Sequence, residues 1–118
     1  MLIYMLARKM RIWDISPNKL CDRHLLGEHS ELHAMWSIIT EGKKGYAKHP
    51  ETLRWVGKLK ALYLIHEKIV QEMKKRGFNH KSPLNDNLAI GQSVQKELID
   101  SIEDQIKLLR NKKCKCKV

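Results

Sequence analysis

Apolar side chains return at helical intervals in three stretches of the chain. The first contains Leu20, Leu25, Leu32, Met35, Trp36 and Ile39, and residues recurring every three or four positions share one helix face. Ser16 followed by Pro17 is a start signal: a hydroxyl can cap free amides, and proline at the first helical position lacks an amide that would go unpaired anyway. With Gly42 as the stop, the pattern predicts a helix over residues 17–41. Gly27 within it costs about 1 kcal/mol relative to alanine. A bend, a ligand or chain segment lying close beside Glu31, or a tolerated surface glycine would each account for it.

The loop Lys43-Lys44-Gly45-Tyr46-Ala47-Lys48 is basic, and His49-Pro50-Glu51 opens a second helix predicted to run to about Arg76. Trp55, Val56, Leu59, Leu62, Tyr63, His66, Ile69, Val70 and Met73 mark its buried face. Gly77 ends it, with Lys74, Lys75 and Arg76 in the last turn, where cations complement the helix dipole. Residues 78–92, with Pro83, Asn85, Asp86 and Gly91, read as a turn-rich crossing with at most a short helical piece. A third helical stretch, residues 94–109, aligns Val94, Leu98, Ile102, Ile106 and Leu109, with a break foreseen near Asp100 and Ser101. The expected fold is all-α, a single compact domain of three main helices with irregular connections. Residues 1–9 would form a leader or an upstream extension, residues 10–109 the helical domain and residues 110–118 a basic tail.

Composition narrows the function. A chain of 118 residues fits one domain, with no room for a separate nucleotide-binding domain. Its 23 Lys and Arg against 13 Asp and Glu give a formal charge of +10. Such a surplus points to a polyanionic partner, nucleic acid first, because ammonium and guanidinium groups release counterions condensed on phosphates. A basic protein with no such partner is the plain alternative. Three cysteines, Cys21, Cys114 and Cys116, are too few and too oddly numbered for a secreted disulfide framework, which favours a reducing cytoplasm. The apolar run at the start is only seven residues, and its positive charges follow rather than precede it, which is not a signal-peptide pattern.

Few residues suggest chemistry on their own. His24, Glu28, Glu31 and Met35 fall on one stripe of the first helix. That stripe is either a catalytic carboxylate with an imidazole beside it or a solvated polar face. His29 and His33, one turn apart, could hold zinc, and Cys114-Lys115-Cys116 could supply thiolates. Cys-x-Cys without a second pair is poor zinc spacing, so exposed imidazoles and reduced thiols in a mobile tail are the expectation, with no metal and no cofactor. Lys43, Lys44, Lys48, Arg54, Lys58, Lys60, Lys75 and Arg76 are candidate contacts to a nucleic-acid backbone, each weak alone. Lys107, Arg110, Lys112, Lys113, Lys115 and Lys117 follow Asp104 with no further acid.

Two blocks, His24-Leu25-Leu26-Gly27-Glu28-His29-Ser30-Glu31-Leu32 and Lys75-Arg76-Gly77-Phe78-Asn79, together with Met10-Arg11, resemble the pyrimidine-dimer DNA glycosylases of the phage endonuclease V type. The resemblance covers roughly residues 10–84. It implies a small helical repair enzyme that excises damaged pyrimidines and cleaves abasic sites in double-stranded DNA, working as a monomer associated with cytoplasmic DNA. In that family the nucleophile is the N-terminal α-amine and its partner a glutamate on the first long helix. Glu31 follows Met10 by 21 positions, the interval kept in that family, so the roles fall on Met10 and Glu31 if the working N-terminus is Met10. Arg11 matches the family's phosphate-gripping arginine, and His24 falls on one of its histidines. Ser30 and Ala34 stand where phage-type members carry arginines, a departure that bears on the choice of lesion. An α-amine with an ordinary pKa of about 7.7–8.0 is partly unprotonated at neutral pH and can attack C1′. Translation from Met1 would instead bury that nitrogen in a peptide bond and favour the rival reading, a non-catalytic basic helical module that binds nucleic acid.

Overall fold

The computed structural model describes residues 11–118. Within them the chain is helical and forms one compact domain with three main helices. The element order is a 3-10 turn Pro17–Lys19, α1 Asp22–Glu41, α2 Pro50–Leu53, α3 Leu59–Lys75, a 3-10 turn Asp86–Leu88 and α4 Ile102–Asn111. Helices α1 and α3 pack against each other. Leu25, Leu32, Met35 and Trp36 from α1 meet Leu62, Ile69 and Met73 from α3, and Ile12, Trp13, Ile15, Leu20, Trp55 and Leu109 close the core. Among the described residues no helix is long and apolar enough to cross a membrane.

The first predicted helix begins later than its sequence signals suggest. Ser16 makes no side-chain cap, and after a single 3-10 turn Leu20 is extended and buried. Cys21 is the N-cap of α1, and Gly42 ends it in the left-handed conformation, as expected. His49 opens α2 by accepting the Glu51 amide on Nδ1 at 3.0 Å, but the second predicted helix is then interrupted over residues 54–58. Gly57 takes φ +78° there, and Lys58 pairs with Gly91 in an isolated antiparallel bridge. A Cβ on Gly91 would lie 2.2 Å from the Gly57 carbonyl oxygen, so this approach admits only glycine. The interruption turns Val56 into solvent, against the face assigned to it, while Trp55 remains buried.

The third helix is likewise shorter. Ser101 caps it by accepting the Asp104 amide, which realises the foreseen break, and Val94 and Leu98 lie exposed before it. Residues 78–92 are irregular apart from the turn at Asp86, as expected.

Candidate active site

The short segment that enters the core from the start of the described chain is held in an unusual way. Four consecutive backbone amides, each with no strand or helix partner, are taken by side-chain oxygens from three helices, α1, α2 and α4. Arg11 N–H donates to Glu31 Oε2 at 2.5 Å, Ile12 to Glu51 Oε1 at 3.3 Å, Trp13 to Glu28 Oε1 at 2.5 Å and Asp14 to Gln105 Oε1 at 2.8 Å. Buried amides must find acceptors, and here three glutamates and a glutamine replace a neighbouring strand. The buried Arg54 completes the brace, donating to Glu51, to Asp14, and to the carbonyl oxygens of Ile12 and Glu97 while stacking on Trp55.

Beside this segment opens a pocket of about 470 Å³ lined by Arg11, Trp13, Arg23, His24, Gly27, Glu28, Glu31, Leu108 and Lys112. Its base is acidic and its rim basic. Burial raises the Glu31 carboxyl to about 7, against the lowering effect of Arg11. Glu28 is almost wholly enclosed, and burial raises it well above the usual carboxylate range. The stripe His24, Glu28, Glu31 and Met35 is therefore not a solvated face. Gly27 also lines the pocket, and a Cβ there would meet nothing within 4 Å. Among the described residues no chain segment packs on it, which leaves a bend, a ligand or a tolerated surface glycine.

The other expected site residues divide. Met10 and residues 1–9, expected to be a leader or an upstream extension, lie outside the described residues. Arg11 lines the pocket, its guanidinium paired with Asp100 at 2.8 Å and lying over Trp13. Lys44, Lys48 and Lys75 are exposed, and Lys43 forms a surface ion pair with Glu41. Arg76, offered as a DNA contact, is held by partners within the fold. It grips Asp22, Glu72 and the carbonyl oxygens of Pro17 and Leu20, locking the 3-10 turn to the end of α3. Arg54 and Lys58, also offered as DNA contacts, are buried; Lys58 reaches Gln95 and Glu97.

Two donor clusters arise that spacing alone kept apart. His29, His33, His66 and His80 bring ring nitrogens within 4.8 Å of one another, with His33 Nε2 and His66 Nε2 3.1 Å apart. His29 is two residues from Glu31 and so points to the other side of α1. Burial first, then the neighbouring imidazoles, lowers His29 and His66 to about 4. These are not the exposed imidazoles expected from the sequence, and together they gather four ring-nitrogen donors. Cys21, His24, Cys114 and Cys116 form the second cluster, also within 4.8 Å. Glu51, Gln105, His66 and His80 were not legible as site or cluster residues, because nothing local in the sequence signals a side chain whose partner lies on another element.

A sequence profile of the pyrimidine dimer DNA glycosylase family matches residues 10–86, which include Arg11, His24, Gly27, Glu28 and Glu31. The chain belongs to that family. Its activity class is accordingly that of a DNA glycosylase, and its partner is DNA. The match ends before α4, so Asp100, Gln105 and both C-terminal cysteines are supplied by residues beyond it. No curated protein and no solved structure matches the chain.

Proposed function

We propose that this chain, with Met10 as its N-terminal residue, excises pyrimidine dimers from duplex DNA and cleaves the resulting abasic site, using the Met10 α-amine as nucleophile and Glu31 as the catalytic carboxylate. The observation that carries the reading is the hydrogen bond from the Arg11 amide to Glu31. It fixes the carboxylate one residue from position 10, beside a pocket whose rim carries Arg11, Arg23 and Lys112.

The unprotonated amine attacks C1′, the new C–N bond replaces the glycosidic bond, and the base departs. Ring opening delivers a proton to O4′ and leaves an iminium that acts as an electron sink. Loss of a C2′ proton then expels the 3′ phosphate by β-elimination, and water releases the amine from the imine. Glu31 in its ionised form stabilises the cationic sugar, and in its protonated form supplies the ring-opening proton. A carboxyl raised to about 7 populates both forms near neutrality. Extruding the damaged nucleotide costs least where the lesion has already weakened stacking. The open space over Gly27 gives the sugar a close approach to the helix backbone.

Borohydride reduction in the presence of abasic-site duplex tests this. The chain beginning at Met10 should be trapped covalently on DNA, with the adduct on residue 10 by peptide mapping. The chain beginning at Met1 should not be trapped. An adduct on an internal lysine, or equal trapping of both chains, overturns the N-terminal mechanism; DNA binding with no trapping leaves the non-catalytic basic module.

A further inference from the structure

We propose that Cys21, His24, Cys114 and Cys116 form a tetrahedral zinc site that fastens the C-terminal segment to the first turn of α1. His24 Nδ1 lies 3.1 Å from Cys21 Sγ and 3.4 Å from Cys116 Sγ, and all four donor atoms fall within 4.8 Å of one another. Zinc–sulfur bonds near 2.3 Å and zinc–nitrogen bonds near 2.0–2.1 Å give tetrahedral edges of about 3.6–3.8 Å; the two sulfur–nitrogen separations fall short of this by a few tenths of an ångström and no pair of donors exceeds 4.8 Å, so small side-chain shifts would seat the ion. Three thiolates and one imidazole are a complete structural zinc set, with no position left open. Thiolates select zinc over harder cations.

The surroundings suit such a centre. Zinc with three thiolates carries one net negative charge, and Arg23, Lys113, Lys115 and Lys117 line the cavity next to it. The Cys21 amide, at the N-cap of a helix of 20 residues, donates to Cys116 Sγ at 3.1 Å. Amide donors to the ligand atoms are the usual outer support of a metal site. A disulfide serves the same atoms less well. It would join two of the sulfurs and leave the third thiol and the imidazole gathered around nothing, and all three cysteines are free.

The segment being fastened needs an anchor. After α4 ends at Asn111 the chain has no regular structure; Cys116 and Val118 pack against the core, and the ties to other parts of the fold include Lys117 N–H to Lys19 O, Arg110 Nε to Val118 O and Cys114 Sγ to Leu109 O. The ligands also bridge two parts of the sequence, since Cys21 and His24 fall inside the family match and Cys114 and Cys116 lie beyond it. Because His24 and Lys112 line the candidate pocket, the metal would set one of its walls.

Cobalt(II) titration of the reduced full-length chain tests the proposal. One equivalent should produce intense tetrahedral ligand-field bands together with thiolate-to-cobalt charge-transfer absorption, and one equivalent of zinc should bleach both. The four-histidine cluster has no sulfur, so cobalt held there cannot give the charge-transfer signal. Cys114→Ser and Cys116→Ser should each weaken cobalt binding at least tenfold. In case those variants fold poorly, the wild-type chain supplies a second readout: chelation should lower its Tm and expose the peptide bonds after Asn111 to protease, and zinc should restore both. Absence of charge-transfer absorption, three thiols reacting freely in the presence of equimolar zinc, or a Cys21–Cys116 disulfide in the protein isolated under reducing conditions would overturn the site.

Discussion

The amide nitrogen of Arg11 and the carboxylate of Glu31 are joined by a hydrogen bond of 2.5 Å across 20 positions of sequence. The bond makes the glutamate a positioning group for the first described segment, and in the proposed mechanism the same carboxylate also acts at the adjacent residue. Those two uses separate under substitution, because glutamine keeps an oxygen acceptor and loses the ionisable function.

Glu31→Gln should therefore leave the fold and the affinity for undamaged duplex nearly unchanged while lowering single-turnover base excision by about 10²–10⁴, the range of acid–base contributions. Glu28→Gln preserves the acceptor for Trp13 and should cost less than tenfold. Glu28→Ala orphans that amide and should destabilise the protein by about 1–3 kcal/mol. Parallel denaturant melts and excision assays on all three variants distinguish the two carboxylates. Comparable loss of chemistry in both glutamine variants would mean that the catalytic role is misassigned.

The raised Glu31 carboxyl also has a thermodynamic signature. Its folded value of about 7 lies above the ordinary 4.5, so the folded chain retains a proton that the unfolded chain releases between these values. This contribution to stability is complete below 4.5 and is lost as pH rises through 7. Glu31→Gln cannot ionise. Its Tm should nearly match wild type at about pH 5 and exceed it by several degrees at about pH 8, after allowing for solvent screening of a partly exposed group. A Tm difference that does not change with pH would refute the perturbed carboxyl.

Arg54 is the buried cation of the brace, with its side chain only 4% exposed and paired to Glu51 and Asp14. Removing one partner of a buried charge network leaves the others uncompensated, at a cost of about 3–5 kcal/mol. Arg54→Met should approach that loss in urea unfolding. A change below about 1 kcal/mol would show that water or a rearranged side chain replaces the guanidinium.

The charge of the C-terminal segment is testable without disturbing its cysteines. A protein of this charge should bind undamaged duplex with a log–log salt slope of about −0.9 per phosphate contact. Replacing Lys113, Lys115 and Lys117 by glutamine should flatten the slope and weaken binding to every duplex, with little effect on the single-turnover rate at saturating protein. An unchanged slope would assign the DNA contact to the exposed lysines elsewhere, among them Lys44, Lys48 and Lys75.

Periodicity and helix stops were legible in the sequence wherever the physics is local. Gly42, Gly77 and the apolar face carrying Leu62, Ile69 and Met73 depend on neighbours a few positions away. Helix starts were less so: the Ser16-Pro17 signal is sound as chemistry, but burying Leu20 in an extended conformation overrides it and moves the start to Asp22. The break at Gly57 depends on Gly91, which no local window contains. The same distinction governs the site. Glu31 was legible through its interval from Met10 and its motif, whereas Arg54 and Arg76 looked like any surface cations until the acids and carbonyl oxygens around them were in place.

The ties of the first described segment have a kinetic consequence. Arg11 reaches Asp100 across 89 positions, Asp14 reaches Gln105 across 91, and Cys21 meets Cys116 across 95. Contacts of such sequence separation form late, because the intervening loop must close before they return any free energy. During synthesis α1 and α3 can pair as soon as both have emerged, but Asp14 acquires Gln105 only once α4 has also left the ribosome. The segment at residues 11–14 is thus seated only after α4 and the turn before it have emerged, later than the pairing of α1 with α3 on which it rests.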